Sequence, residues 1–368
     1  MINLSTAQMA ILALFAMILL SNIDKQDLLP YYSNGGQATF VQLLLHEAQP
    51  ELFREATALE RPTFDALVKE LTYNGSLKDG RSVTVKEQIL IFLDIVVHHN
   101  LMREVALKFR QGLFTVLKAL VGLYPKYVNL TPKEERNEWL EDPKCHAFNK
   151  CLGALNGVLI PITLPMVQQQ SFRNRKGFIA QNVLAVVNFD LEFLYVLAGW
   201  EGSTHNSRVI ADAFDKGFSI LDGQFYLAVA VRYHLKEQAT CGLKPATPKE
   251  LFNLRHASLQ NVVERIFGCL KAKFKILTSP LEHNVHSQVQ LVYAITMLWN
   301  FLRYHNQYEV IPQADELDQS DQNAGELATN PSGSLHRRSR EEDSHMVSKR
   351  NQMAAKIWNQ YQDYLSNQ

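Results

Sequence analysis

The sequence lacks any excess of charge of one sign. Its 368 residues carry 37 Lys and Arg against 37 Asp and Glu, so the formal net charge is zero at pH 7. A chain without a basic excess is not drawn as a whole to nucleic acid or to an anionic membrane, so any contact with DNA must come from local patches. Hydrophobic residues make up 46% of the chain, which is enough for two globular domains of ordinary size.

Cysteine is scarce, and the few cysteines are scattered. Cys145, Cys151, Cys241 and Cys269 form no CxxC pair. Their spacing therefore indicates neither a zinc site nor a disulfide framework, and it favours a reducing compartment.

The chain has little that could meet a membrane. The one candidate is MAILALFAMILL at residues 9–20. This run is shorter than the roughly 20 residues that span a bilayer, and no basic residue precedes it as in a signal peptide. We favour an amphipathic or buried helix that begins near Ser5, with a membrane segment as the alternative. Residues 1–36 are interpreted as an apolar leader helix and its connection.

Helical periodicity dominates residues 37–130. Apolar residues recur at three and four positions in the segments 63–71, 84–99 and 113–123, and Ser82 or Thr84 can cap the second of them. Pro125 and the polar stretch 132–136 break this pattern before the next domain. The pattern predicts a small all-helical domain.

The period changes to that of strands after Cys151. Runs rich in Val, Leu, Ile, Phe and Tyr cover 151–164, 181–190 and 192–199. Residues 207–214 then look helical, 218–227 extended, and 259–274 form an amphipathic helix. Strands followed by helices predict an α/β layer fold.

The end of the chain is polar. Residues 312–349 are rich in Asp, Glu, Ser, Asn and Gln, a composition typical of disorder, and a short helix is predicted over 353–364. We therefore divide the second half into a domain at 146–305 and a mostly disordered tail at 306–368.

Four blocks in the second half carry a resemblance to a known family. They are CLGALNGVLIPI at 151–162, FRNRKGFIAQNVLAVVNFD at 172–190, FLYVLAGWEGSTHNSRVI at 193–210 and KELFNLRHASLQNVVERIFGCLKAKF at 249–274. Together they resemble the transposases of Harbinger-type (PIF/Harbinger) DNA transposons, within the DDE superfamily of endonucleases. The resemblance covers about residues 146–305, with weaker similarity before it.

The resemblance implies a fold, a compartment and partners. The fold is α/β, with an RNase H-like mixed-sheet core flanked by helices and preceded by the small helical domain, which is helix-turn-helix-like. Two Asp and one Glu of such a core hold two divalent metals, Mg²⁺ or Mn²⁺, that cleave and join DNA strands. The family is nuclear and works with DNA and with a separate Myb-like DNA-binding protein.

The metal ligands implied by the resemblance are incomplete. Two ions about 4 Å apart must clamp the attacking and leaving oxygens of a phosphodiester, and hard cations need anionic oxygen ligands. Asn156 stands where the family has its first Asp, so a neutral amide replaces a carboxylate. Glu264 matches the third carboxylate. With Asn156 and Glu264 as its catalytic and metal positions, the site is expected to bind metal weakly or not at all.

The second carboxylate has no counterpart. In similar proteins the strand continues into a Gly-Asp segment, whereas here FYLA at 225–228 runs almost directly into VAVRYHL at 229–235. Asp222 lies before Gly223, where the family's strand begins rather than ends, and is interpreted as a surface turn residue. Asn206 also departs from the family, which commonly has Asp there to orient loops around the site.

Basic residues supply candidate DNA contacts. Arg173, Arg175 and Lys176 form a loop cluster, and Lys271 with Lys275 is expected on the Glu264 face of the long helix. Clustered cations contact phosphates without reading sequence, but solvated surface charge is an equal alternative for the loop cluster.

The helical domain lacks part of a DNA-reading motif. Residues 100–109 resemble the first helix of the family's helix-turn-helix, but the turn and the start of the recognition helix are missing after Phe109. Three hypotheses remain open: an active metal-dependent nuclease, a transposase-derived protein that binds DNA or protein without catalysis, and a decayed or mis-spliced copy.

Overall fold

The protein was described from a computed structural model that covers residues 41–80, 83–98, 102–130, 140, 142, 144–228, 231–233, 245–279, 284–305 and 340–366. The apolar run 9–20, with the rest of the predicted leader, and the polar stretch 306–339 lie outside the described residues. Across the described ranges, every helix is too short or too polar to cross a membrane.

The first compact unit ends at Arg61 and is held by that residue. A single π-helical turn, Leu43–Glu47, precedes helix α1, Pro50–Thr57. The Arg61 guanidinium donates hydrogen bonds to the carbonyl oxygens of Leu44, Leu45 and Ala48, and its carbon lies 4.5 Å from the centre of the Phe53 ring. One side chain thus satisfies backbone carbonyls that the turn leaves open.

The second unit starts with helices, as the periodicity predicts. They are α2, Arg61–Tyr73, α3, Val85–His98, and α4, Met102–Tyr127. Thr84 caps α3 as predicted, because its hydroxyl accepts from Glu87 N at 3.3 Å while the Glu87 carboxylate accepts from Thr84 N at 2.6 Å.

Helix α4 differs from the prediction at Pro125. It continues through Pro125 to Tyr127, although proline was expected to end it. Tertiary contacts outweigh the lost hydrogen bond: the Tyr124 hydroxyl accepts from Val196 N at 3.0 Å, and the Tyr127 carbonyl accepts from Asn300 at 2.8 Å. The helix also runs without interruption where a helix-turn-helix would need its turn.

A four-stranded mixed sheet forms the centre of this unit. Its strands are β1, Cys151–Pro161, β2, Ala180–Val187, β3, Phe193–Glu201, and β4, Phe225–Leu227, in the order β3-β2-β1-β4. The first three strands are antiparallel, and β4 runs parallel to β1. The prediction of an α/β, RNase H-like mixed-sheet core flanked by helices is confirmed at this level.

Helices cover both faces of the sheet. Helix α5, Asn206–Asp215, buries Val209 and Ala213 against Leu155, Leu184 and other side chains of one face. Helices α6, Pro248–Lys273, and α7, Val285–Tyr304, pack against the other. Since side chains alternate along a strand, Asn156, next to Leu155 on β1, faces α6.

Helix α6 begins 11 residues earlier than the predicted Leu259. Thr247 and Glu250 form a capping box around Pro248, with Glu250 N donating to the Thr247 hydroxyl at 3.2 Å. The apolar stripe alone marks only the second half of this helix, whereas the capping sequence marks its start.

The last helix corrects the prediction for the tail. Helix α8, Arg340–Ser366, includes residues 340–349, which were predicted to be disordered, and is far longer than the predicted 353–364. It packs against α6 and buries Ala354 and Ile357, so tertiary contact stabilises a sequence that is mostly polar.

The predicted extended segment 218–227 is also shorter in the structure. Only residues 225–227 form a strand, because Gly217 and Gly223 adopt positive φ angles of 93° and 75° that turn the chain. Phe218 is buried in the α5 face rather than in a strand.

His256 on α6 is fully buried and packs 5.7 Å from the Phe252 ring. Burial, together with the positive charge of Arg232, lowers the pKa of its imidazole from 6.5 to about 4. The ring is therefore neutral in the folded protein at pH 7.

Acid is expected to destabilise the fold through His256. The pKa of His256 is lower in the folded state than in the unfolded state. Its contribution to the free energy of unfolding is therefore fully present above pH 6.5 and is lost as the pH falls towards 4. We expect a loss of about 2 kcal/mol between pH 7 and pH 5 from this group. Urea unfolding at both pH values measures it, with His256→Leu flattening the dependence. The exposed His286 provides the control, and a profile that His286→Gln flattens equally would contradict the assignment.

Candidate functional site

The middle of β1 and the second half of α6 meet at two polar side chains. Asn156 Nδ2 donates to Glu264 Oε1 at 3.0 Å, and Asn156 Oδ1 accepts from Gly157 N at 2.9 Å. The backbone donor requires the oxygen of the amide, so the NH₂ group is the end that faces the carboxylate. The structure thus brings together the two predicted site residues.

Two further amides extend this contact. Asn206, the first residue of α5, donates from Nδ2 to Asn156 Oδ1 at 3.5 Å, and its own Oδ1 accepts from Asn182 Nδ2 at 2.9 Å. Asn182 on β2 also donates to Thr204 O at 3.0 Å. We call Asn156, Asn182 and Asn206 the amide cluster.

Gly157 makes room for the amide cluster. A Cβ at this position would lie 2.2 Å from Asn206 Oδ1 and 2.7 Å from Asn182 Oδ1. Neither distance is possible for a real side chain, so only glycine allows the two amides to approach β1 this closely.

Glu264 is surrounded by protein atoms although one side of it faces solvent. Desolvation raises the pKa of its carboxyl, while the hydrogen bonds it accepts from its own backbone and from Asn156, and the charge of Arg232, act to lower it. The net effect is a raised pKa, so burial outweighs the hydrogen bonds and the distant positive charge, and the protonated form is favoured relative to a carboxyl group in water.

Strand β4 stops before it reaches this level of the sheet. Its last residue, Leu227, pairs with Ala154, two residues before Asn156 on the parallel neighbour β1. A ligand on β4 beside Asn156 would need the strand to continue past Leu227. Asp222 does not take that place, because it is exposed in the turn before β4.

The residues present do not suit a pair of divalent ions. DDE superfamily endonucleases generally use divalent metals, which require several anionic oxygens. Here Asn156 turns its NH₂ group towards Glu264, and the described residues contain no group of three His, Cys, Asp or Glu side chains close enough to share an ion. Glu264 is the one carboxylate of the Asn156 contact.

The predicted basic residues lie apart from this contact. Arg173, Arg175 and Lys176 are exposed in the hairpin before β2, where Arg173 Nη1 donates to Gly177 O at 2.6 Å. Pro161 pairs with Ala180 and Asn156 with Ala185, so the hairpin begins five residues, about 17 Å, along β1 from Asn156.

Lys271 and Lys275 were predicted to share one face of α6, and this prediction is wrong for Lys275. Lys271 lies in the last turn of α6, but the helix ends at Lys273, and Lys275 begins a 3-10 turn, Lys275–Leu277. The buried Phe274 draws the chain inward and breaks the helical spacing.

Sequence reasoning missed two residues of this region. Asn182 lies on a strand buried along its whole length, and its polarity amid valines was the available signal. Arg232 was seen only as part of the family's VRYHL block, without a role.

Comparison with known proteins agrees with this architecture. Residues 155–300 match the model of the DDE superfamily endonucleases, and the chain therefore carries a DDE superfamily endonuclease domain. It is similar to "Putative nuclease HARBI1" of Homo sapiens, with 23% identity over 206 residues, and to that of Bos taurus, with 22% over 205 residues. Each alignment covers 52% of this chain and 57% of the relative, so the chain spans less than two thirds of their length.

The preceding region has its own match. Residues 33–122 match a domain of unknown function, DUF8040, which overlaps the predicted helical domain at 37–130. No solved structure matches the chain.

Asn156→Asp should destabilise the protein in the absence of metal. The change replaces a donor by a second carboxylate 3.0 Å from Glu264, so repulsion replaces a hydrogen bond. We expect a fall in Tm of roughly 2–4 °C beyond that of Asn156→Ala, measured in EDTA, and partial recovery with Mn²⁺. The unmodified chain should not respond to Mn²⁺. Equal Tm values for Asn156→Asp and Asn156→Ala in EDTA would contradict the contact.

Proposed function

We propose that this protein derives from a Harbinger-type transposase and contacts the DNA backbone without cutting it. The observation that carries the proposal is the donation from the Asn156 NH₂ group to Glu264, at the position where DDE enzymes have two carboxylates. A pair of metal ions at this site would need side-chain oxygens of both residues to point at the ions. Here the Asn156 NH₂ group donates a hydrogen bond to the Glu264 carboxylate instead.

DNA is the proposed partner because the domain is of a nuclease family. The exposed cations of the loop cluster, Arg173, Arg175 and Lys176, supply phosphate contacts, and Lys271 and Lys275 supply others. Helix α4 is continuous where a helix-turn-helix motif would have the turn before its recognition helix. This supports DNA binding in which this region does not read the bases. A separate Myb-like protein would then provide sequence specificity, in the nucleus.

Strand cleavage is expected to be absent. Without two of the three carboxylates, neither the attacking water nor the leaving oxygen has a metal to stabilise its charge. A plasmid-nicking assay with Mn²⁺ should show no nicking by the unmodified chain or by Asn156→Asp. Cleavage should return only when Asn156→Asp is combined with a Gly-Asp-Ala-Gly-Tyr segment and its loop inserted after Leu227, provided that the protein folds.

The same assay separates the alternatives. Nicking by the unmodified chain that Glu264→Gln abolishes would establish an active nuclease and overturn the proposal. If the variant that combines Asn156→Asp with the insertion after Leu227 folds well but does not nick the plasmid, other changes, such as Asn206, also prevent cleavage. A chain that does not fold cooperatively on thermal or urea unfolding would instead favour a decayed copy.

DNA binding should be weak, independent of sequence and strongly dependent on salt. The proposed contacts are cations on phosphates, so the affinity should fall steeply between about 50 mM and 200 mM salt, because the release of counterions from DNA gains less free energy at the higher salt concentration. Fluorescence anisotropy with two labelled duplexes of unrelated sequence measures this. A strong preference for one duplex that persists at high salt would count against the proposal.

A further inference from the structure

The connection between β1 and β2 is anchored firmly at its base. We call residues 162–179 the β1–β2 loop. Ile162, at its start, is buried, and its N donates to Ile179 O at 3.2 Å. Thr163 is bound to Gln288 of α7 in both directions, since its N donates to Gln288 Oε1 at 3.0 Å and its O accepts from Gln288 Nε2 at 2.9 Å. The loop therefore leaves the domain from a fixed point.

The outer part of the β1–β2 loop is folded as well. A 3-10 turn, Met166–Gln168, continues directly into a short helix, Gln169–Phe172. Ser203, which lies just after β3, donates from its hydroxyl to Ser171 O at 2.6 Å. This contact ties the short helix to the far edge of the sheet. The 3-10 turn is thus held in one position relative to the domain.

Two neighbouring apolar side chains project from this turn. Met166 is 86% exposed and Val167 is 90% exposed, and we call them the apolar pair. Other apolar residues of the same loop pack inward, because Ile162 and Leu164 are buried. Single exposed apolar residues are common on protein surfaces. An adjacent pair that an anchored turn holds almost fully in water instead favours a surface that another molecule covers.

The rest of the β1–β2 loop carries positive charge. The loop cluster of Arg173, Arg175 and Lys176 is exposed, and residues 162–179 include neither Asp nor Glu. The rise of the 3-10 turn and of the short helix places Met166 roughly 12 Å from Arg173. This distance corresponds to about three to four base pairs of a DNA duplex. The apolar pair and the loop cluster can therefore contact one short stretch of DNA together.

We propose that the β1–β2 loop is a DNA wedge, in which the apolar pair enters between two base pairs from the minor groove while the loop cluster binds flanking phosphates. Proteins that kink DNA use apolar side chains to separate a base step, with Arg, Lys and Gln around them in the groove. The positive charge of the loop favours DNA as the partner. Two apolar side chains bury too little area to hold the protein on a membrane.

A wedge of this kind selects DNA that opens easily. Separating a stacked base step costs free energy, and the cost is lowest where the bases are mismatched or unpaired. The preferred ligand is therefore a duplex with a mismatch, whatever its sequence. The inference rests on the proposed contact with the DNA backbone and adds the form of DNA that the protein prefers.

The test compares two fluorescein-labelled duplexes of one sequence, one fully paired and one with a central mismatch, by anisotropy in EDTA. The unmodified chain should bind the mismatched duplex roughly tenfold more tightly, because less unstacking is needed. Met166→Ser combined with Val167→Ser should abolish this preference but leave the salt dependence unchanged, since the loop cluster remains. Met166→Leu combined with Val167→Ile keeps an apolar wedge and should retain the preference.

Ile220→Ser combined with Leu221→Ser is the matched control. These residues are also an adjacent apolar pair, 39% and 46% exposed in the segment before β4. The control removes the same kind of surface elsewhere and should bind both duplexes like the unmodified chain. Arg175→Gln combined with Lys176→Gln separates charge from insertion. It should weaken binding to both duplexes alike and lower the slope of log affinity against log salt by about 2.

The outcomes distinguish this inference from the proposed function. If the unmodified chain binds neither duplex at low salt, the proposed DNA contact and the wedge both fail. If it binds both duplexes equally, or if the serine variant of the apolar pair keeps the preference, the DNA contact stands and the wedge is wrong. The wedge is also wrong if the serine variant loses binding to vesicles of anionic lipid, or changes the sedimentation of the free protein, with DNA binding unchanged. A membrane or a second copy of the chain would then cover the apolar pair.

Discussion

The hydrogen bond between Asn156 and Glu264 is the contact on which the candidate site depends. It joins the middle of β1 to α6 and fixes which end of the Asn156 amide faces the helix. This orientation of Asn156 also sets the orientations of Asn206 and Asn182, because Asn206 donates to the oxygen of Asn156 and Asn182 donates to the oxygen of Asn206. In a DDE enzyme the same place holds like charges that only cations can bring together. Here the neutral amides of Asn156, Asn182 and Asn206 hydrogen-bond to one another and to Glu264, so this contact forms without an ion.

Much of this arrangement could be predicted from the sequence. The three long strands, the sides of α6 and the meeting of Asn156 with Glu264 follow from hydrophobic periodicity and from the four family blocks. The start of α6 was missed because the apolar stripe is weak there. The capping box of Thr247 and Glu250, with Pro248 at the first helical position, is the sequence signal that indicates this start. Asn206 was assigned to the neighbourhood of the site but not to a contact with Asn156.

The remaining features depend on long-range contacts that local patterns do not contain. Helix α8 is polar, and two buried residues, Ala354 and Ile357, with Arg350 on Tyr233, hold it against α6 and the segment after β4. Pro125 stays within α4 because Tyr124 and Tyr127 are bound by β3 and α7. Arg232 could not be assigned a role, since its position depends on where the shortened connection meets α6.

The docking of α8 also has a consequence for biosynthesis. Strand β4 is three residues long and forms one edge of the sheet, and Lys349 of α8 lies over its Phe225 ring. An open sheet edge is a site for pairing with other chains until it is covered. Because α8 comes after all four strands in the sequence, the sheet is synthesised before the helix that supplies this contact, and β4 presents an open edge until α8 docks.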